Sequence, residues 1–242
     1  MNFYESISDH YNHIFPLNMA HVTFVRQSFS ETQHLELLDI GCGIGELSFE
    51  LSKYFKSVRA IDLDKRMVNR AKRDFEQMAS NLQFNELNML EIEKEFGLNS
   101  FDAIICFGNT LVHLEGPLQI LDFFKRAKNA LKNGGKFLFQ IINYDRIIDQ
   151  KINILPTIEN KDVRFERNYH LHPNQKLLDF ETILTIKKTG QKITNTIQLY
   201  LIRIKEISGL LNKAGFNDIT YYANFKREDY RPDSIPLIIE AK

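Results

Sequence analysis

The chain has 242 residues, 43% apolar and 26% charged, with 31 basic side chains against 31 acidic ones. A chain of this length builds a core without disulfides or a structural metal, and its neutral balance argues against a generic nucleic-acid binder. Two cysteines, Cys42 and Cys106, suit reduced, half-buried thiols, no apolar run reaches the roughly 18 residues of a membrane span, and Met1-Asn2-Phe3-Tyr4-Glu5 lacks the order of a signal peptide, so a cytoplasmic protein is expected.

In chain order, the first 34 residues read as helical, with Leu17, Ala20, Phe24 and Val25 at helix spacing after Pro16 and a lead containing Tyr4, Tyr11 and Phe15. Leu35 to Ile40 is an apolar run with no polar face, ended by Gly41-Cys42-Gly43-Ile44-Gly45; Glu46 to Phe55 then reads as a helix. The strand–helix unit repeats: a strand at Ser57 to Ile61, a helix at Lys65 to Met78, a weak strand at Leu82 to Leu87, a strong one at Phe101 to Phe107, and a helix at Pro117 to Leu131. Asn133-Gly134-Gly135 stops that helix and Lys136 to Ile142 is another buried strand.

From about residue 160 the period changes to two. Val163, Phe165, Arg167, Tyr169 and Leu171 alternate with Arg164, Glu166, Asn168 and His170, and similar runs cover Leu177 to Ile186 and Ile193 to Leu201. Turn residues separate them, so three antiparallel strands are expected. Lys205 to Ala214 is a helix stopped by Gly215, followed by strands at Phe216 to Tyr222 and Pro236 to Ala241. The whole predicts an α/β fold: a mostly parallel sheet with helices on both faces and a small antiparallel sheet inserted after strand five. Its expected parts are a helical lid over 1–34, a core over 35–150, a cover over 151–203 and the completion of the core over 204–242.

Charge is distributed unevenly. Residues 1–121 carry 10 basic and 17 acidic side chains, and residues 122–242 carry 21 and 14. That asymmetry fits a cationic ligand in the first half and an anionic partner at the second, or simply differently solvated faces.

In an open parallel sheet the ligand sits at the carboxyl ends of the strands, where Asp39-Ile40-Gly41-Cys42-Gly43-Ile44-Gly45 lies. Alternate glycines let the backbone turn tightly and approach a ligand closely. A dinucleotide fingerprint needs its third glycine at position 46, which is Glu, and a carboxylate there repels a pyrophosphate. A nicotinamide- or flavin-dependent oxidoreductase is therefore the second choice. Asp62 ends the second strand 17 residues after Gly45, placed to accept both ribose hydroxyls of a nucleoside.

This GxGxG turn, Asp62, Phe101-Asp102-Ala103-Ile104-Ile105-Cys106 and Leu131-Lys132-Asn133-Gly134-Gly135 together resemble the class I S-adenosylmethionine-dependent methyltransferases. The resemblance implies a Rossmann-like, doubly wound, seven-stranded sheet whose last strand is antiparallel, with S-adenosyl-L-methionine as cofactor and no metal. It implies cofactor contacts from Asp39, Gly41, Cys42, Gly43 and Gly45, from Asp62, Leu63 and Met67, from Asn88 and Met89, and from Cys106 and Phe107. Tyr4 and Tyr11 are expected to close over the cofactor.

Methyl transfer from a sulfonium needs alignment and exclusion of water more than a catalytic triad. Acceptor contacts are expected beyond strands four and five, from Phe107-Gly108-Asn109-Thr110 with His113 and from Asn143-Tyr144-Asp145. The first stretch and Asn143-Tyr144-Asp145 resemble the glycine and sarcosine N-methyltransferase group, which implies that Asn109 orients an acceptor and that Tyr144 lies beside it. In that group an arginine that grips the substrate carboxylate precedes the Asn-Tyr-Asp; here the position is Ile142, so glycine is not the expected acceptor unless a basic residue of the small sheet, Arg164 or Arg167, replaces that arginine. His113 is either a general base or a structural tie for its loop. The expected function is methylation of a small molecule, on nitrogen rather than oxygen, with no membrane or nucleic-acid partner; a protein that binds the cofactor without turnover is the other alternative.

Overall fold

The structure is a computed structural model and describes residues 7–242. Its strands are β1 (Glu36–Ile40), β2 (Ser57–Asp62), β3 (Leu82–Glu86), β4 (Phe101–Cys106), β5 (Leu131–Ile142), β6 (Ile154–Glu159), β7 (Val163–Leu171), β8 (Leu177–Ile186), β9 (Lys192–Tyr200), β10 (Ile219–Tyr222) and β11 (Pro236–Ala241). Its α-helices are α1 (Tyr11–Ile14), α2 (Met19–Gln27), α3 (Glu46–Ser52), α4 (Lys65–Ala71), α5 (Ile92–Phe96), α6 (Pro117–Ala130), α7 (Tyr144–Asp149) and α8 (Ile204–Lys213).

Seven strands form one sheet in the order β10-β11-β5-β4-β1-β2-β3. β11 runs antiparallel to both neighbours, while β1 to β5 are mutually parallel where they pair. The chain order reverses between β1 and β4, which opens the crevice at the ends of those strands. Continuous apolar runs follow from burial on both faces. Along β4, Ala103 and Ile105 pack on the side of α2, α3 and α4, while Ile104 and Cys106 pack with Phe123 and Phe124 of α6 and Leu211 of α8.

The other sheet is antiparallel, β6-β7-β8-β9. It has four strands, not the three expected. β6 escaped notice because it is a mostly exposed edge strand interrupted by Pro156, which is tolerated only at an edge. The amino-terminal segment docks on this sheet: Ile7 and Ile14 are buried with Val163, Phe165 and Leu184, and the Phe15 ring meets Phe165 edge-on at 5.7 Å.

Other boundaries differ locally. The helix read as Lys65 to Met78 stays α-helical only to Ala71 and widens into a π-turn over Lys72–Glu76. Gly134 and Gly135 do not separate helix from strand but form an irregularity inside β5, where a Cβ on Gly135 would meet the Asp102 carbonyl at 3.1 Å. α7 was not foreseen; Asn143 starts it by accepting the Arg146 backbone N–H.

Candidate active site

The turn after β1 is built by its backbone. The N–H groups of Gly41 and Cys42 both donate to the Ile61 carbonyl, at 2.8 and 3.0 Å, because the β1–β2 register sets Ile40 opposite Ile61. Gly41 is held in the left-handed region at φ 74°, and a Cβ there would stand 2.5 Å from the Thr110 hydroxyl. Gly43 donates its N–H to Asp62 at 2.8 Å, and Asp64 donates to the other Asp62 oxygen at 2.9 Å. Backbone donors thus fix the Asp62 carboxylate against the glycine turn.

Two cavities adjoin at this point. One, of about 430 Å³, is walled by Asp62, Leu63, Met67, Asn88 and Met89, with Leu87 and Leu90. Leu63 is 66% exposed and Met67 is buried, so an apolar lip stands over an apolar wall with a carboxylate between them. The second, of about 480 Å³, lies between Asp39, Cys42 and Glu46 of the core and Leu155, Arg167, Tyr169 and Phe180 of the small sheet. Tyr11, Gly41, Phe107, Gly108 and His113 border both.

The electrostatics follow from burial. Asp39 is 2% exposed and accepts the Ser48 hydroxyl at 2.6 Å; desolvation pushes its carboxyl up to about 7 against that hydrogen bond. Asp62 is pushed the same way by burial and restrained by its backbone donors. Burial also raises the Tyr11 phenol and the thiols of Cys42 and Cys106, so neither cysteine is an activated nucleophile. Desolvation lowers His113 and His21 to about 4, leaving both imidazoles neutral at pH 7.

Several expected contacts move once the geometry is known. Gly45 borders neither cavity; a Cβ there would meet the Phe84 ring at 2.7 Å, so its glycine serves helix packing against β3 and α4. Cys106 is fully buried beneath the crevice and borders neither cavity. Asn88 does line the nucleoside-sized cavity, but its side-chain oxygen already accepts the Leu90 N–H at 2.9 Å. Tyr4 lies outside the described residues.

On the acceptor side, Asn109 lines the second cavity with its side-chain amide between two neighbours: it donates to the Tyr144 hydroxyl and accepts the Ile142 N–H, both at 2.9 Å. Tyr144 is buried behind Asn109 and borders neither cavity, so it supports the site without lining it. Asp145 points to Arg203, 2.6 Å away, and joins α7 to α8. Arg164 stands on the outer face of β7 with Glu159 and Glu166, each at 3.1 Å, whereas Arg167 faces the cavity. Polar lining residues that were not foreseen include His21, Gln140 and Glu46. His21 sits one turn after Leu17 against Phe225, with ring centroids 4.0 Å apart; Gln140 accepts the Gly108 N–H at 2.9 Å. Glu46, read only as an obstacle to pyrophosphate, takes the Leu17 N–H and is raised by burial.

Residues 37–135 match a family described as "Methyltransferase domain". A protein of Geobacillus sp. (strain WCH70), named as a methyltransferase, is 33% identical over 105 residues, 43% of this chain and 41% of that one. The chain spans about half or less of the length of the curated relatives it matches. Among solved structures, an S-adenosylmethionine-dependent methyltransferase from Clostridium acetobutylicum superposes with a TM-score of 0.82 over 100% of this chain and 99% of its own, at 17% identity. CalS10 of Micromonospora echinaspora, an amino pentose methyltransferase with S-adenosylmethionine bound, gives 0.72 over 100% and 99%, at 14% identity. Residues 37–135 thus match a methyltransferase domain, and the strand order and the crevice at the β1 and β2 ends give the whole chain the Rossmann-like fold of solved S-adenosylmethionine-dependent methyltransferases.

Proposed function

We propose that the chain transfers a methyl group from S-adenosylmethionine to an amine nitrogen of a small molecule held under the antiparallel sheet. The observation that carries this reading is the pair of adjoining cavities, one shaped for a nucleoside around Asp62 and the other enclosed by the small sheet. Asp62, already fixed by two backbone donors, keeps lone pairs for ribose hydroxyls. Leu63 and Met67 supply apolar faces for a purine, and Tyr11 lies against the glycine turn.

The cofactor supplies an electrophilic methyl whose bond to sulfur breaks as the bond to nitrogen forms. The chain's share is alignment and exclusion of water. Asn109 fixes the loop after β4 to the start of α7, and Gln140 fixes Gly108, so the rim between the cavities is preorganised. His113 and His21, neutral and weakly basic, suit accepting a hydrogen bond from an amine N–H rather than removing a phenol proton. That favours nitrogen over oxygen.

The test is release of S-adenosylhomocysteine across a panel of primary amines, secondary amines and phenols. Amines are expected to turn over and phenols not. Turnover of phenols alone would replace nitrogen by oxygen in this reading.

A further inference from the structure

The guanidinium of Arg167 carries a positive charge into a wall that is otherwise apolar. It lies on the same face of β7 as Val163, Phe165 and Tyr169, all buried, and it borders the acceptor cavity beside Leu155, Phe180 and Leu199. One terminal nitrogen donates to the Pro156 carbonyl at 2.6 Å. Its Nε is buried with no hydrogen-bond partner, and among the described residues no carboxylate lies within ion-pair distance of it. A second arginine with an unbonded Nε, Arg227, makes the contrast: its charge is met by Glu240 at 3.1 Å. Among the described residues, Arg167 is also the only Lys or Arg bordering either cavity.

A buried donor with no acceptor forfeits its desolvation energy unless something else supplies one. The side of a guanidinium that carries Nε matches a carboxylate bidentately. One cation without a second favours a monoanion over a phosphate dianion. The cavity, about 480 Å³ and lined by Phe15, Tyr169 and Phe180, is far roomier than glycine requires. Resting on the reading that this cavity holds the methyl acceptor, we propose that the acceptor is a carboxylate-bearing molecule with an apolar body, and that Arg167 sets this specificity by holding the carboxylate.

The experiment is calorimetric titration of matched pairs, hydrocinnamate against hydrocinnamyl alcohol and hexanoate against hexanol, into the protein alone and into the protein saturated with S-adenosylhomocysteine. In at least one pair the carboxylate should bind about tenfold to a hundredfold tighter than its alcohol. R167M should abolish that preference, R167K should keep part of it, and R164M, which alters a guanidinium on the outer face of the same strand, should leave it unchanged. Circular dichroism of R167K and R167M checks that both fold. Equal binding within both pairs, or a preference that survives R167M, overturns the proposal. So does a loss of S-adenosylhomocysteine affinity in R167M, which would assign the guanidinium to the cofactor. Failure of the wild type to bind S-adenosylhomocysteine at all would sink the methyltransferase reading separately, while the carboxylate preference is still read in the protein alone.

Discussion

At the scale of single residues, the two buried aspartates of the crevice make opposite demands on stability and binding. Asp39 holds its proton up to about pH 7 in the fold, whereas in an unfolded chain a carboxyl loses it near pH 4. Its contribution to stability is therefore full below about pH 4 and is lost as pH climbs through 7. Asp39→Asn removes that loss and keeps an acceptor for Ser48, so the ligand-free variant should melt several degrees higher than wild type at pH 8, on the order of 2 kcal/mol, with the difference vanishing near pH 4. Thermal melts across that range check it. A cationic cofactor calls for the ionised form, so wild-type affinity for S-adenosylmethionine should rise from pH 6 to pH 8, and Asp39→Asn should flatten the rise. Asp62→Ala removes a charged acceptor and the partner of the Gly43 N–H; a loss of about 2 to 4 kcal/mol in cofactor binding is expected by calorimetry. Unchanged affinity would take Asp62 out of the site.

At the scale of elements, the amino-terminal segment and the small sheet form one roof. Ile14 of α1 is buried against Val163 and Phe165 of β7, and the Asn160 side chain donates to the His13 carbonyl at 2.7 Å. Ile14→Ala should cost roughly 2 to 5 kcal/mol of this docking. Hydrogen exchange should then quicken over α1 and α2 and cofactor affinity should drop, while β1, β4 and β5 stay protected; equal quickening throughout would contradict a separable roof. The parallel strands were legible because burial on both faces makes their runs mostly apolar without a polar face, and the face of Arg167 was legible because Val163, Phe165 and Tyr169 share its period. β6 was not, since an exposed edge strand carries little apolar signal. Nor could spacing show that Asn109 is engaged by Tyr144 and Ile142, or that Gly45 is a packing glycine, because those partners lie on other elements. Cys106 misled for a related reason: it ends a strand pointing at the crevice, yet its side chain alternates to the face packed by α6.

At the scale of the molecule, the imbalance of charge along the chain reappears in the crevice. Among the described residues, the five carboxylates bordering the two cavities, Asp39, Glu46, Asp62, Asp64 and Glu115, come from the acidic first half, and the one guanidinium, Arg167, comes from the basic second half. The floor thus favours a cation and the roof an anion, which is the order a sulfonium cofactor and a carboxylate-bearing acceptor require. Calorimetric titration of the wild-type protein and of Asp62→Ala with S-adenosylmethionine and with NADH tests the central claim most directly. S-adenosylmethionine should bind the wild type one to one, bind Asp62→Ala at least tenfold more weakly, and NADH should bind neither. Tight NADH binding without S-adenosylmethionine binding would contradict the account.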